Sequence, residues 1–293
     1  MQPKHFVTHV KLSIADLSIS ISSADRSQRF EIPDHYDQFV VKGEDTDLTL
    51  KAHFEIPSIE LGKEIFSSDC WGLYTNNGYR IFKLAPKMCG SSPIRLAVFK
   101  PDFRTGDVYC RDTDIKHSFP FDYPLDELVV LNILSRKSGI IVHACGISYC
   151  DKGYLFLGQS GTGKSTMANL WKNRGKAQVL SDDRIVIRGK NGQLFAYGTP
   201  WHSDGKFFSP EKVKLERIFF LKQGKKNKVR MLNPVDAALR LLNCSFPTFY
   251  DATGMGNILD LINSIAVEIE CYELSFVPNM SLIEFMSEHG LVC

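Results

Sequence analysis

Residues Gly158, Gln159, Ser160, Gly161, Thr162, Gly163, Lys164, Ser165 and Thr166 form a glycine-rich run that can cradle phosphate. Glycines let the backbone turn tightly and bring its N–H groups up to anionic oxygens. Lys164 supplies a mobile cation for outer phosphates, and the Ser165 hydroxyl suits a Mg²⁺ ligand. The run follows the apolar stretch Tyr154-Leu155-Phe156-Leu157 and precedes the helical pattern Met167-Ala168-Asn169-Leu170-Trp171. Strand, loop and helix in that order are the context a P-loop (Walker A) requires, because the helix aims its positive end at the same anion. The competing reading is a glycine-rich turn before an ordinary helix. The expectation is that the chain binds a nucleoside triphosphate, with ATP and Mg²⁺ as cofactors.

A P-loop enzyme needs an acidic residue near the end of a neighbouring strand. Gln178-Val179-Leu180-Ser181-Asp182-Asp183 reads as such a strand. Neighbouring strand residues face opposite ways, but two carboxylates beyond the strand end can reach one site. One then holds the metal while the other takes a proton from an attacking hydroxyl. An Asp-Asp turn before the next hairpin is the plainer alternative. His143 lies in the apolar run Ile140 to Ala144, the strand before the P-loop strand. Sequential strands tend to be neighbours, which would bring His143 to the phosphate site as proton carrier or phosphate sensor. A satisfied core histidine is the other reading.

His143-Ala144, the Gly158 to Thr166 run and Leu180-Ser181-Asp182-Asp183 together resemble the HPr serine kinase/phosphorylase family. That group is related to the ATP-binding domain of phosphoenolpyruvate carboxykinase. The resemblance covers roughly residues 122–293. It implies that the loop binds ATP and that His143, Lys164 and Asp182 are catalytic. It implies Asp182 as the base, and Ser165 and Asp183 at the metal. The signature that follows the catalytic pair in the bifunctional enzymes is missing, and the N-terminal half does not look like theirs. Tyr197-Gly198-Thr199-Pro200-Trp201-His202 resembles instead the stand-alone HPr-kinase-like proteins, some of them found with peptide-modifying biosynthetic genes. HPr itself is therefore not the expected acceptor. Trp201-His202 lies where an acceptor or base is held, or is a packed aromatic after a turn.

These groups need elements to position them. Leu125 to Ser135 has helical periodicity after Pro124, and Gly139 stops it. Arg184 to Arg188 and Gln193 to Tyr197 read as a hairpin about Asn191-Gly192, and Leu215 to Leu221 as another strand. Pro234 to Leu242 reads as a helix capped by Asn233, Ala266 to Leu274 as a strand and Ser281 to Glu288 as a helix. Lys152-Gly153 reads as the turn into the P-loop strand. Before residue 122 the pattern is one of short strands. Leu12, Ile14, Leu17, Ile19 and Ile21 alternate with polar residues. Phe39-Val40-Val41, Leu48 to Leu50 and Ala52 to Ile56 suggest more strands. Trp71 to Phe82 folds about Asn77-Gly78, and Arg95 to Phe99 with Asp107 to Cys110 forms another hairpin. The predicted fold is α/β: a β-rich domain over residues 1–121 and a P-loop kinase domain of the HPr kinase/phosphoenolpyruvate carboxykinase type over residues 122–293.

A net charge of +2 gives no case for nucleic acid. The cluster Lys222, Lys225, Lys226, Lys228 and Arg230 reads as a solvated loop and strand edge. No apolar run is long enough for a membrane span, and Met1 to His5 lack the apolar core of a signal peptide. None of the eight cysteines forms a C-x-x-C pair, which predicts reduced, mostly buried thiols in a cytoplasmic chain without a zinc site. His5, His35, His53 and His117 are read as surface residues. The functional expectation is a kinase that phosphorylates a hydroxyl of a peptide, protein or small molecule. The alternative is an ATPase or nucleotide-dependent switch, which needs no acceptor base. A carboxykinase fits poorly, since the chain is short and shows no oxaloacetate site. The first half is assigned to acceptor recognition or assembly, including a homo-oligomer.

Overall fold

The computed structural model describes residues 6–85, 94–111, 118–172, 174–203 and 205–293. The chain is mixed α/β with large sheets and divides into two compact units, Met1–Val130 and Leu131–Cys293.

The first unit carries β1 (Phe6–Val7), β2 (His9–Ile14), β3 (Leu17–Ser23), β4 (Phe30–Glu31), β5 (Leu48–His53), β6 (Lys63–Ser67), β7 (Trp71–Asn76), β8 (Tyr79–Leu84), β9 (Arg95–Phe99) and β10 (Thr105–Cys110). β1 pairs with β4, and the others form one sheet in the order β2-β3-β5-β10-β9-β8-β7-β6. Its hairpins follow the turn chemistry. Ala15 and Asp16 join β2 to β3 at φ 51° and 58°, and Asn77 and Gly78 join β7 to β8 at 48° and 84°. Phe39 differs from expectation: it ends a 3-10 helix, Asp34–Phe39, and Val40 makes only an isolated bridge to Leu12. Buried Tyr36 drives that local turn, its hydroxyl donating to buried Asp126 at 2.5 Å. Ala52 and His53 close β5, and no strand runs on to Ile56. His53 is half-buried, 2.8 Å from Asp107 and stacked on Tyr109, and His35 is half-buried beside Tyr36. His5 and His117 lie outside the described residues.

Helix α1 (Leu125–Leu134) leads into β11 (Gly139–Tyr149) and β12 (Lys152–Leu157). The turn between these strands is Cys150-Asp151, both left-handed, rather than Lys152-Gly153, which already pair with β11. Next come α2 (Lys164–Lys172), β13 (Gln178–Ser181), β14 (Arg184–Lys190), β15 (Gln193–Tyr197), β16 (Lys212–Gln223), β17 (Lys228–Met231), α3 (Pro234–Asn243), α4 (Ala252–Glu268), β18 (Glu270–Phe276) and α5 (Ser281–Glu288). The sheet order is β12-β11-β14-β15-β16-β18-β17. β12 also pairs with β16, in parallel, so β11, β14, β15, β16 and β12 form a closed hydrogen-bonded cycle. Closure leaves those strands no bare edge.

Period-2 alternation explains how helices cover both faces of this sheet. Leu155, Leu157, Ile218 and Phe220 share a core with Ala237 and Leu241 of α3 and with Ile258, Leu261, Ile262 and Ile265 of α4. Tyr154, Phe156, Phe219 and Leu221 share the other with Met167, Ala168 and Trp171 of α2 and Leu282, Ile283 and Met286 of α5. Helix α4 takes the residues Ala266 to Glu268 that were expected to begin a strand, and β18 starts at Glu270. Its apolar residues recur at helical spacing, which outweighs the poor helix propensity of Gly254 and Gly256. Asn233 caps α3 as expected, accepting from the Asp236 N–H at 2.9 Å.

The seven described cysteines are free thiols, and they are not mostly buried. Cys70, Cys150 and Cys293 are exposed and Cys244 is half-buried, while Cys110, Cys145 and Cys271 are buried. Cys150 is placed outside the core by its turn. Among the described residues no helix is long and apolar enough to cross a membrane.

Trp171 anchors the helix that follows the glycine loop. It is fully buried between Tyr149, edge-on at 5.3 Å, and Phe156 at 6.3 Å. Its indole N–H has no hydrogen-bond partner. Trp171→Ala is expected to cost about 3–5 kcal/mol by leaving a cavity. Trp171→Phe keeps a ring and removes the orphaned donor, so its loss should be the smaller. Denaturant unfolding of the two variants checks this; equal losses would contradict the packing account.

Candidate functional site

The loop from Gly158 to Gly163 joins β12 to α2 and is shaped by its own hydrogen bonds. The Thr162 hydroxyl donates to Gln159 O at 2.8 Å, and Gln223, the last residue of β16, donates its side-chain amide to Gly161 O at 2.8 Å. Gly161 and Gly163 are left-handed, with φ of 81° and 107°. A Cβ on Gly163 would also stand 2.6 Å from the Phe276 ring, so only glycine fits there. Lys164 opens α2 but folds back over the loop. Its ammonium donates to Gly158 O at 2.9 Å and Gln159 O at 3.0 Å. Burial lowers the Lys164 pKa, and the charge of Asp183 opposes that shift without cancelling it.

The register of β11 delivers the opposing groups. His143 pairs with Arg184 of β14, and Gly146 pairs with Ser181 of β13. Asp182 and Asp183 occupy the bend between those strands. The Ser181 hydroxyl makes the bend: it accepts from the N–H groups of Asp183 (3.2 Å) and Arg184 (3.3 Å) and donates to Trp201 O at 2.8 Å. The strand therefore ends before the carboxylates, and their side chains are no longer bound to alternate.

His143 Nε2 lies 3.0 Å from Asp183 Oδ1, and the Arg184 guanidinium lies 2.8 Å from the same oxygen. Arg184 in turn sits over the Phe246 ring, 4.2 Å from its centre. Burial pushes the Asp183 carboxyl up, but the His143 hydrogen bond and the charges of Arg184, His143 and Lys164 outweigh it and leave the pKa lowered. Asp182 is buried and takes different partners. It accepts from Ser203 N–H at 3.1 Å and from the Ser203 hydroxyl in a short contact. Ser203 Oγ is 3.5 Å from Ser165 Oγ. Cys145 is buried beside Asp182 and Lys164; burial, then the Asp182 charge, drive its thiol pKa up, so it stays neutral.

The expected residues thus form two linked groups. His143, Asp183 and Lys164 are one; Ser165 and Asp182 are the other, joined through Ser203. Trp201 is buried, and the neighbouring His202 stacks on Phe208 at 5.3 Å with Nδ1 2.8 Å from Ser203 O. Arg184, Ser203, Gln223 and Phe276 were not expected. Arg184 had a sequence signal, a cation directly after two carboxylates. Ser203, Gln223 and Phe276 had none, because only the fold brings them to the loop.

No group of three or more His, Cys, Asp or Glu among the described residues is arranged to hold a metal by itself. The donors present near the loop are hydroxyl and carboxylate oxygens. That set fits Mg²⁺, which is usually held by one or two carboxylates with substrate phosphates completing its shell.

Asp183 also sets a pH dependence. Its folded pKa lies below its ordinary value of 3.8. Its contribution to stability is therefore full above about pH 4 and is lost as pH falls through the folded value. His143→Ala removes a hydrogen bond to the carboxylate, so the Asp183 pKa should rise. The acid limb of the melting-temperature profile should move to higher pH, with about 1–3 kcal/mol lost at neutral pH. Thermal melts from pH 7 to 3 measure both; an unmoved acid limb would count against this pairing.

Over residues 126–270 the chain matches the family model described as SynChlorMet cassette protein ScmC, a span that includes His143, the glycine loop, both aspartates and Ser203. Among solved structures it is similar to the Hpr(Ser) kinase/phosphatase from Coxiella burnetii, at 14% identity and a TM-score of 0.32, over 52% of this chain and 95% of that one. No curated protein matches it.

Proposed function

We propose that the protein is an ATP- and Mg²⁺-dependent kinase that phosphorylates a hydroxyl group of a peptide, protein or small molecule. One observation carries the reading. A glycine loop with a buried lysine faces a two-aspartate bend, and one of those carboxylates already accepts a hydroxyl hydrogen bond. Phosphoryl transfer asks for little more from a protein than positioning, charge neutralisation and a proton acceptor.

The roles follow from the contacts. The N–H groups of Gly158 to Thr166 and the N-terminus of α2 would hold the phosphates, with Lys164 leaving its loop carbonyls for the outer ones. Mg²⁺, held by Ser165 and Asp183, would supply charge neutralisation during transfer. Asp182 accepts the acceptor's proton. His143 and Arg184 keep Asp183 ionised and oriented, and Arg184 balances its charge.

Lys164→Ala should weaken nucleotide binding strongly, read by calorimetry with ATP, ADP, GTP and pyrophosphate. Absence of binding by the wild type to any of them would defeat the assignment. Asp182→Asn should keep nucleotide affinity and lose transfer by about 10²- to 10⁴-fold, the usual span for a general base. Asp183→Asn should instead raise the Mg²⁺ concentration needed. ATP hydrolysis that no added acceptor diverts would favour a nucleotide-driven switch over a kinase.

A further inference from the structure

We infer that Ser203 is itself a phosphoryl acceptor, so that the protein phosphorylates its own segment between β15 and β16. The inference rests on the kinase reading of the same site. Its basis is a hydroxyl placed on the base and beside the loop. Ser203 Oγ–H donates to Asp182, and the oxygen stands 3.5 Å from Ser165 Oγ. A hydroxyl donating to a buried carboxylate is the ground-state arrangement of nucleophile and general base.

Ser203 is not on a loose tip. Its own N–H is held by Asp182 at 3.1 Å, and Trp201 O is held by the buried Ser181 hydroxyl at 2.8 Å. Thr199 donates to Arg184 O at 2.6 Å, and Phe208 bridges to Ser181. The segment is thus fixed to the bend that carries the base, and the base and its nucleophile move as one body. Such placement converts a bimolecular reaction into an intramolecular one.

The step balances with a nucleoside triphosphate as donor. The Ser203 proton passes to Asp182. The Ser203 Oγ–phosphorus bond forms, the bond from the terminal phosphorus to the bridging oxygen breaks, and the nucleoside diphosphate leaves with that electron pair. The resulting phosphate carries nearly two negative charges and cannot remain against the Asp182 carboxylate. Modification would therefore free the base from Ser203.

The test uses the full chain with MgATP and no added acceptor, read by intact mass and peptide mapping. One phosphate per chain at Ser203 is expected. It should be absent from Ser203→Ala and Asp182→Asn and retained in Ser203→Thr. Unmodified Ser203 in a chain that binds ATP and releases ADP would overturn this inference alone. Absence of ATP binding would overturn it together with the kinase reading. If Ser203→Ala only raises the Mg²⁺ requirement and no phosphoserine forms, Ser203 is a metal ligand and the inference also falls.

Discussion

The site depends on one strand being hydrogen-bonded along both edges. β11 pairs with β12 from Ala144 to Tyr149, and its other edge pairs with β14 over Gly139 to His143 and with β13 beyond Gly146. The first pairing fixes where the glycine loop leaves the sheet. The second fixes the aspartate bend, because its two flanking strands share β11 as a template. A shift of one residue would turn His143 to the other face and break its contact with Asp183. The closed cycle of five strands resists such a shift, since each register constrains the next.

Charge then decides how tightly the bend is set. Isolated surface ion pairs contribute about 0–1 kcal/mol, too little to fix a side chain in one place. The pairs here are different: Asp183 and Arg184 are half-buried, and one carboxylate oxygen serves both His143 and Arg184. Removing one member leaves the others short of a partner in a half-buried place, a cost on the order of 1–3 kcal/mol. Lys164 is the one cation of the group whose hydrogen bonds go to neutral carbonyls rather than to a carboxylate. On the kinase reading, that leaves its charge the easiest to redirect to a phosphate.

Much of this was legible from local chemistry. Asn77-Gly78 and Asn191-Gly192 gave their hairpins, because positive φ at both turn positions favours these residues. Asn233-Pro234 marked the start of α3, and the Ser181-Asp182-Asp183 strand end was visible because apolar residues stop there. Helix α4 was obscured by two glycines near its start, although Ile258, Leu261, Ile262 and Ile265 carry helical spacing. Phe39 had strand composition, but burial of Tyr36 beside it imposed a helical turn. In the site, the loop, His143 and the aspartates could be found because motifs are local in sequence. That Asp182 would hold Ser203 while Asp183 held His143 was not local. It depends on a connection from β15 to β16 that crosses back over the bend, which no periodicity records.

The basic cluster illustrates the same division between composition and placement. Lys228 and Arg230 lie on β17, the outer strand of the second sheet. Arg230 and Arg240 both approach Glu273 of β18, at 3.6 and 2.7 Å. Lys222, Lys228, Arg230, Glu273 and Ser275 line a cavity of about 200 Å³. Composition alone left open whether these charges grip an acidic partner or coat a surface. Position gives Lys228 and Arg230 a role at a sheet edge. An outer strand exposes unpaired N–H and C=O groups, and long cationic side chains are a common way to keep another strand from adding to it. The closed cycle protects β11, β12 and β14 of the site, and charge protects the outer edge of β17, which closure does not reach.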